Sequence, residues 1–342
     1  MSQPNRLFAP ALVLHVLPIA AAGQADPIIP IINQVTPTEY QSYIRLLSGA
    51  DPLYSNPPYY LTTRQSRSWG ANIAADWLTE RFESWGLATT RHIFNYSYAP
   101  NVIAELPGLT RPQDVYVFCA HFDDVAGTPG ADDNASGTSA VLTAARILSQ
   151  YQFDATIRFI AFSGEEQGLV GSWAYAQAMR NEGQNIAAVL NFDMLLHPGW
   201  DNTEPDPDYD LDIGTDDASW WLAQDLAAHF ATYTPIDIEV GYEYYGASDH
   251  YPFWLYDFNA VVMSEHSAPE IWWDGANDAY HQPTDSFDNP DYDYEFARQA
   301  VRGSMAELID LAGLVPEPTS AVGLLAVLTI AGYRRRAGNH LT

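Results

Sequence analysis

Lysine is absent from this 342-residue chain, and cysteine occurs once, at Cys119. Without lysine there is no amine for Schiff-base chemistry and no side chain to complete a lysine-bearing phosphate loop. All the cationic side chains are arginines, 15 against 43 acidic residues, and the formal net charge is −28. A surface of that sign repels phosphates, which argues against nucleic acid as a partner. Between Arg180 and Arg298 there is no cationic side chain of either kind. A single cysteine also excludes a disulfide framework. Its setting, the apolar run from Val115 to Ala120, makes Cys119 a small core side chain rather than a nucleophile, because a thiol among apolar neighbours resists ionisation.

Apolar runs occupy both ends. Arg6 precedes an apolar stretch from Leu7 to Ala22, and small residues follow at Gly23-Gln24-Ala25. This pattern predicts a secretory signal peptide over residues 1–25, and Pro10, His15 and Pro18 argue against a lasting membrane helix. At the far end, Pro316-Glu317-Pro318 is followed by an apolar run from Ala321 to Tyr333 and by Arg334-Arg335-Arg336. Pro316 and Pro318 are expected to end the preceding helix, and the arginines to hold the terminus on the cytoplasmic side. The run is shorter than the ~20 residues of a comfortable membrane span. In the order of its parts, residues 315–342 resemble a PEP-CTERM sorting tail, which implies export, transient membrane anchoring and processing by a sorting enzyme at the cell surface. Residues 26–314 remain, long enough for one large α/β domain or two small ones.

Within that span strands and helices alternate. Strands are expected at Thr89–Tyr96, Val102–Leu106, Val115–Ala120, Ile157–Phe162, Ala188–Phe192 and Ala260–Met263. Helical periodicity marks Gly70–Trp85, Ser139–Tyr151, Leu169–Arg180, Trp220–Tyr233 and Tyr294–Leu311. The alternation predicts an α/β fold, a central mixed and mostly parallel sheet with helices on both faces, in three layers α/β/α. The acidic stretch Asp201–Asp217 lacks regular calcium-ligand spacing and reads as a solvated loop.

The densest chemistry lies in His121–Gly137, HFDDVAGTPGADDNASG, which joins a strand end to a helix start. Ligands of open α/β sheets bind beyond the carboxyl ends of strands. Other strand ends supply more: Glu165 and Glu166 follow Ile157–Phe162, Asp193 follows Ala188–Phe192, and His281 stands in YHQPTD. His121, Asp133, Glu166, Asp193 and His281 are two imidazoles and three carboxylates, enough for two zinc ions that share a bridging carboxylate. Glu165 beside them is free to take a proton from water. On composition alone Asp132 and Asp124 qualify as ligands equally well.

The series HFD, PGADDNASG, SGEEQGLVGS, NFDM, SDH and YHQPTD resembles the bacterial co-catalytic zinc aminopeptidases of the aminopeptidase and glutamate carboxypeptidase superfamily, over roughly residues 60–312. The resemblance implies a zinc-exopeptidase fold of the phosphorylase/hydrolase-like kind. It further implies His121 and Asp193 on one zinc, Glu166 and His281 on the other, Asp133 bridging and Glu165 as general base. Asp123 would orient His121 from behind, and Tyr245 would support the oxyanion. Only this register favours Asp133 over Asp132.

Peptide substrates with a free N-terminus are the expected partners. Carboxypeptidases that resemble this group clamp a carboxylate with arginine, and the arginine-free region around Asp193, Tyr245 and His281 favours recognition of an amine instead. Arg146, Arg158 or Arg180 could still point inward. A carboxypeptidase or glutaminyl cyclase on the same scaffold is one alternative, and a non-catalytic surface-binding module is another. His250 is expected to be structural, and His92, His197, His229 and His266 to be ordinary surface or core histidines. Trp272, Trp273, Phe253 and Met263 are read as core rather than as a substrate pocket.

Overall fold

The computed structural model describes residues 26–198, 210–242, 246–265 and 277–316. The expected leader, the sorting tail, Tyr245, His266 and the Trp272-Trp273 pair therefore lie outside the described residues. Among the described residues no helix is long and apolar enough to cross a membrane.

Short helices α1 (Ile29–Ile32) and α2 (Pro37–Leu47) come first, then a small hairpin of β1 (Tyr54–Ser55) and β2 (Pro58–Tyr59). The main fold follows as α3 (Trp69–Ser84), β3 (Ala88–His92), β4 (Asn101–Leu106), β5 (Arg111–His121), α4 (Ala135–Leu148), β6 (Ala155–Phe162), α5 (Val170–Glu182) and β7 (Asn185–Phe192). It closes with β8 (Asp210–Thr215), α6 (Trp220–Tyr233), β9 (Asp237–Tyr242), α7 (Tyr251–Leu255), β10 (Ala260–Ser264) and α8 (Tyr294–Ala312). Helix starts follow capping chemistry. Ser68 accepts from the Ala71 amide, Asn134 from Gly137, and Asp293 from Glu295 and Phe296, which satisfies amides that have no partner in the first turn.

Eight strands form one sheet in the order β3-β4-β6-β5-β7-β10-β8-β9. The central strands β6, β5, β7 and β10 run parallel, while β4 and β8 join antiparallel at either side. The expected mixed, mostly parallel sheet is what forms. Side chains of β5 alternate as a strand requires. Tyr116, Phe118 and Ala120 enter a large core with α2, α3, α4, α6 and α8, and Val115, Val117 and Cys119 enter a smaller one with α5 and α7. Burial on both faces explains the unbroken apolar run of this strand, and Cys119 is fully buried as expected, its thiol pushed up by desolvation.

Three expectations are corrected. The acidic stretch is not a loop throughout, because Asp210–Thr215 is β8, a strand held between β10 and β9; its alternation of Leu211 and Ile213 with polar residues buries one face. The last helix, expected over Tyr294–Leu311, stops short of Pro316, so that proline is not what ends it. It ends at Ala312 because Gly313, at φ +73°, takes the left-handed cap and returns its amide to the Ile309 and Asp310 carbonyls. Helix α4 begins four residues earlier than the apolar period suggests, at Ala135, since Asn134 caps it there.

Candidate metal centre

Parallel register brings the chemical residues to one edge. His121 pairs with Phe162, Ala120 with Phe192, and Phe192 with Met263, so the carboxyl ends of β5, β6, β7 and β10 lie level. Residues that immediately follow those ends must then meet. His121 closes β5, Glu165 and Glu166 follow β6, Asp193 follows β7, and Asp133 comes from the loop that enters α4. His281 arrives from the segment before α8, at φ +56° with the Tyr280 ring stacked 3.8 Å from its own. A left-handed histidine is uncommon and persists where its surroundings hold it.

All five expected ligands converge. His121 Nε2 lies 3.2 Å from Asp193 Oδ1 and 3.4 Å from Asp133 Oδ1. His281 Nε2 lies 3.1 Å from Asp133 Oδ2 and 3.2 Å from Glu166 Oε2. Ligand atoms about 2.0–2.1 Å from a tetrahedral zinc are about 3.3 Å from one another, and these separations match. One oxygen of Asp133 faces each imidazole, the arrangement a bridging carboxylate needs. The other oxygen of Glu166 is buried without a hydrogen-bond partner, as an atom reserved for a cation would be. His121, Glu165 and Glu166 form a third possible grouping, so proximity alone leaves Glu165 a choice between base and ligand.

Electrostatics show which charge the cluster favours. Burial, then the neighbouring Glu166, pushes the Asp133 carboxyl up to about 6, and burial carries Glu165 well above the ordinary carboxylate range. Desolvation opposes charge on His281, yet its hydrogen bonds to Asp133 and Glu166 push it up to about 10. Burial likewise opposes charge on His121, and Asp193 and Glu165 overcome it, so this ring too is held well above the usual histidine range. The site demands positive charge.

Behind the cluster stands a second layer that motif spacing left open. Asp132 is turned away from the other ligand candidates: Oδ1 accepts from the Leu195 and Leu196 amides and Oδ2 from Asn277. Asp285, the last residue of YHQPTD, accepts from the Asp132 and Asp133 amides and from the Tyr292 hydroxyl. Glu265 shares Asn277 with Asp132 and accepts from the His197 amide. Asp124 also points elsewhere, accepting from the Thr63 hydroxyl and the Arg64 amide. The expected partner of His121, Asp123, offers its backbone carbonyl to Nδ1 at 3.2 Å and its carboxylate at 3.7 Å, and that carboxylate accepts from the Glu165 amide. His250 is fully buried, which holds it down at about 3 and therefore neutral. Its neighbour Asp249, buried and pushed up to about 7 chiefly by desolvation, was not singled out by spacing.

The arginines behave partly as expected. Arg146 pairs with Glu39, Arg158 with Glu105 and Arg180 with Asp257, so each is engaged with a carboxylate outside the cluster. Sequence reasoning overlooked Arg64, which is 1% exposed. Its guanidinium donates to the carbonyls of Leu47, Phe122, Pro129 and Gly130 and lies 3.7 Å from Asp124, clamping the loop between His121 and Asp133. No local pattern marks it, since its partners are 17 to 66 residues away. Phe253 and Met263 are core residues in the smaller and larger clusters respectively.

Over 170 residues the chain is 34% identical to a protein of Pyrenophora tritici-repentis named "Probable zinc metalloprotease", covering 43% of this chain and 35% of that one. Over 189 residues it is 33% identical to aminopeptidase YwaD of Bacillus subtilis, covering 53% and 38%. The chain thus spans well under half the length of these relatives. The LapA aminopeptidase structure of Legionella pneumophila shares the fold, with TM-score 0.72 at 22% identity over 84% of this chain and 75% of that one. Residues 101–301 match the model of peptidase family M28; that segment runs from β4 into α8, takes in every strand end that builds the cluster, and is more than half of the chain, which therefore belongs to peptidase family M28.

Proposed function

We propose that the protein is an exported zinc aminopeptidase that removes N-terminal residues from peptides. The observation that carries this reading is Asp133, which presents one oxygen to His121 and the other to His281. The residues fit two zinc ions: His121 and Asp193 would hold one, Glu166 and His281 the other, and Asp133 both. When bound, the ions supply Lewis-acid polarisation of the scissile carbonyl and make water a stronger acid.

Glu165 then has the proton work. It is adjacent in sequence to one ligand and fixed through its amide to Asp123, and burial raises its proton affinity well above that of an ordinary carboxylate. In this reading it takes the proton of the attacking water and returns it to the leaving nitrogen as the C–N bond breaks. Tyr245 is assigned to the oxyanion. Carboxylates that outnumber imidazoles at the cluster favour an ammonium over a carboxylate as the substrate's recognised end, and the pairing of Arg146, Arg158 and Arg180 elsewhere supports the same choice. Export rests on the leader-like residues 1–25 and the tail 315–342.

The test is polarity of cleavage by protein spanning residues 26–314. Acetylating a peptide's N-terminus should stop hydrolysis and amidating its C-terminus should not. The opposite pattern makes the protein a carboxypeptidase. Cyclisation of N-terminal glutamine without peptide-bond cleavage makes it a glutaminyl cyclase, and inactivity with zinc bound makes it a binding module.

A further inference from the structure

In a chain this acidic most described arginines meet a carboxylate, and Arg67 does not. It is exposed, and its partners are aromatic: the guanidinium carbon sits 4.5 Å from the Tyr98 ring centroid and the group donates to the Tyr98 hydroxyl. A cation on an aromatic face is held in place at little cost in side-chain freedom, and an arginine uses few of its five N–H donors in this way. Among the described residues it has no ion pair.

Its location gives it a use. Strand β4 runs antiparallel to β6, so the turn before Asn101, which carries Tyr98, lies at the same sheet edge as the cluster. Contacts close the gap. A Cβ placed on Gly164, the residue before Glu165, would lie 3.2 Å from the Tyr98 ring. Ser66, next to Arg67, hydrogen-bonds Gln167, next to Glu166, and its carbonyl accepts from the Ala99 amide. Trp69, 73% exposed, stands two residues further along the same segment.

We propose that Arg67, mounted on Tyr98, forms a subsite for a carboxylate in the leaving portion of the substrate. The inference rests on the aminopeptidase reading, in which Glu165 must deliver a proton to the leaving nitrogen. That nitrogen, and the residue it belongs to, therefore lie on the Glu165 side of the cluster, which is the side Tyr98 covers. One residue spans at most ~3.6 Å of chain, so the carboxylate of a departing amino acid stays close to the rim. The fork of Arg67 suits a carboxylate, and it offers a positive charge at an otherwise acidic edge. The preferred substrates are dipeptides, whose second residue ends in a free carboxylate, together with longer peptides that carry an acidic side chain at that residue.

The experiment compares kcat/KM for three substrates sharing the N-terminal residue X that the wild-type enzyme hydrolyses best: X-Ala, X-Ala-amide and X-Asp-amide. Wild type should favour the two carboxylate-bearing peptides over X-Ala-amide by about 2–5-fold, the scale of one ion pair at an exposed site. In Arg67→Gln each ratio should fall to about one, mainly through KM, and Arg67→Lys should restore part of it. The ratio cancels general losses of folding or metal, so a merely structural arginine would lower all three rates and leave it unmoved. A preference for X-Ala but not X-Asp-amide identifies the terminal carboxylate as the ligand, and the reverse identifies the side chain. An active wild type with no preference, or a ratio that survives Arg67→Gln, overturns the assignment of Arg67 alone. A wild type inert on every unblocked peptide overturns the aminopeptidase reading, and this subsite with it.

Discussion

His229 and Glu307 form an ion pair across α6 and α8, far in sequence from the metal cluster, and their separation by mutation has a calculable cost. His229 Nδ1 lies 2.6 Å from Glu307 Oε2; the glutamate is fully buried, and neither of its carboxylate oxygens has a hydrogen bond of regular geometry. The imidazole also faces the Asp225 carbonyl, Asp310 at 3.9 Å and the stacked Tyr233 ring. The close approach of the Glu307 carboxylate, against the opposing effect of burial, pushes His229 from 6.5 to about 9. The folded state therefore holds a proton that the unfolded chain releases. This stabilisation is fully present below pH 6.5, declines as pH rises, and is gone above about 9. A rise of that size corresponds to about 3 kcal/mol at most. Burial, which raises Glu307, works against the pair at neutral pH, so a net contribution of about 2 kcal/mol is expected.

His229→Ala strands a carboxylate in the core and should cost about 3 kcal/mol at pH 7, or a Tm lower by about 6 °C for a domain of this size. The deficit relative to wild type should shrink in acid, where Glu307 takes a proton, and again above pH 9, where wild type loses its own imidazolium. His229→Ala combined with Glu307→Gln should recover most of the loss, because a neutral amide tolerates burial better than an unpaired charge. Urea denaturation from pH 5 to 9.5, in chelator so that metal binding does not contribute, measures all three chains. A deficit below about 0.5 kcal/mol, or one independent of pH, would refute the assignment of a charged pair.

The adjacent glutamates should separate by metal content: Glu165→Gln keeps zinc and loses about 10²–10⁴-fold in kcat, whereas Glu166→Gln loses metal by elemental analysis and with it the rise of Tm on adding zinc. If Glu165→Gln loses zinc and Glu166→Gln keeps it, the two roles must be exchanged. Arg64→Ala should cost about 3–5 kcal/mol in chelator, because it leaves Asp124 buried and unpaired; a loss under 1 kcal/mol would show that the clamp on the His121–Asp133 loop is dispensable. Residues 315–342 fused to an exported reporter should retain it at the membrane of a host with the sorting enzyme, and replacing Arg334, Arg335 and Arg336 should release it; secretion unchanged in both constructs removes the sorting role.

The sequence by itself determined which segments are strands of a doubly covered sheet and which loops follow them, because apolar periodicity is a local property that burial on one or two faces imposes. It also determined that His121, Asp133, Glu166, Asp193 and His281 stand at or beyond those strand ends. β8 and β9 escaped it, since the acidic residues that crowd the sequence around Leu211 and Ile213 mask the alternation of those two in β8. What only the tertiary structure decided is direction. Asp132 and Asp133 are adjacent and chemically alike, and the amides of Leu195 and Leu196 draw the first away while Asp285 holds the backbone that presents the second. Asp124 was equally eligible until Arg64, 60 residues away, engaged it. His229 reads as an ordinary histidine until α8 brings Glu307 against it, and Arg67 as an ordinary surface charge until β4 carries Tyr98 beneath it. In each case the partner lies far along the chain, and the identity of a residue fixes what it can bind but not which neighbour packing will offer.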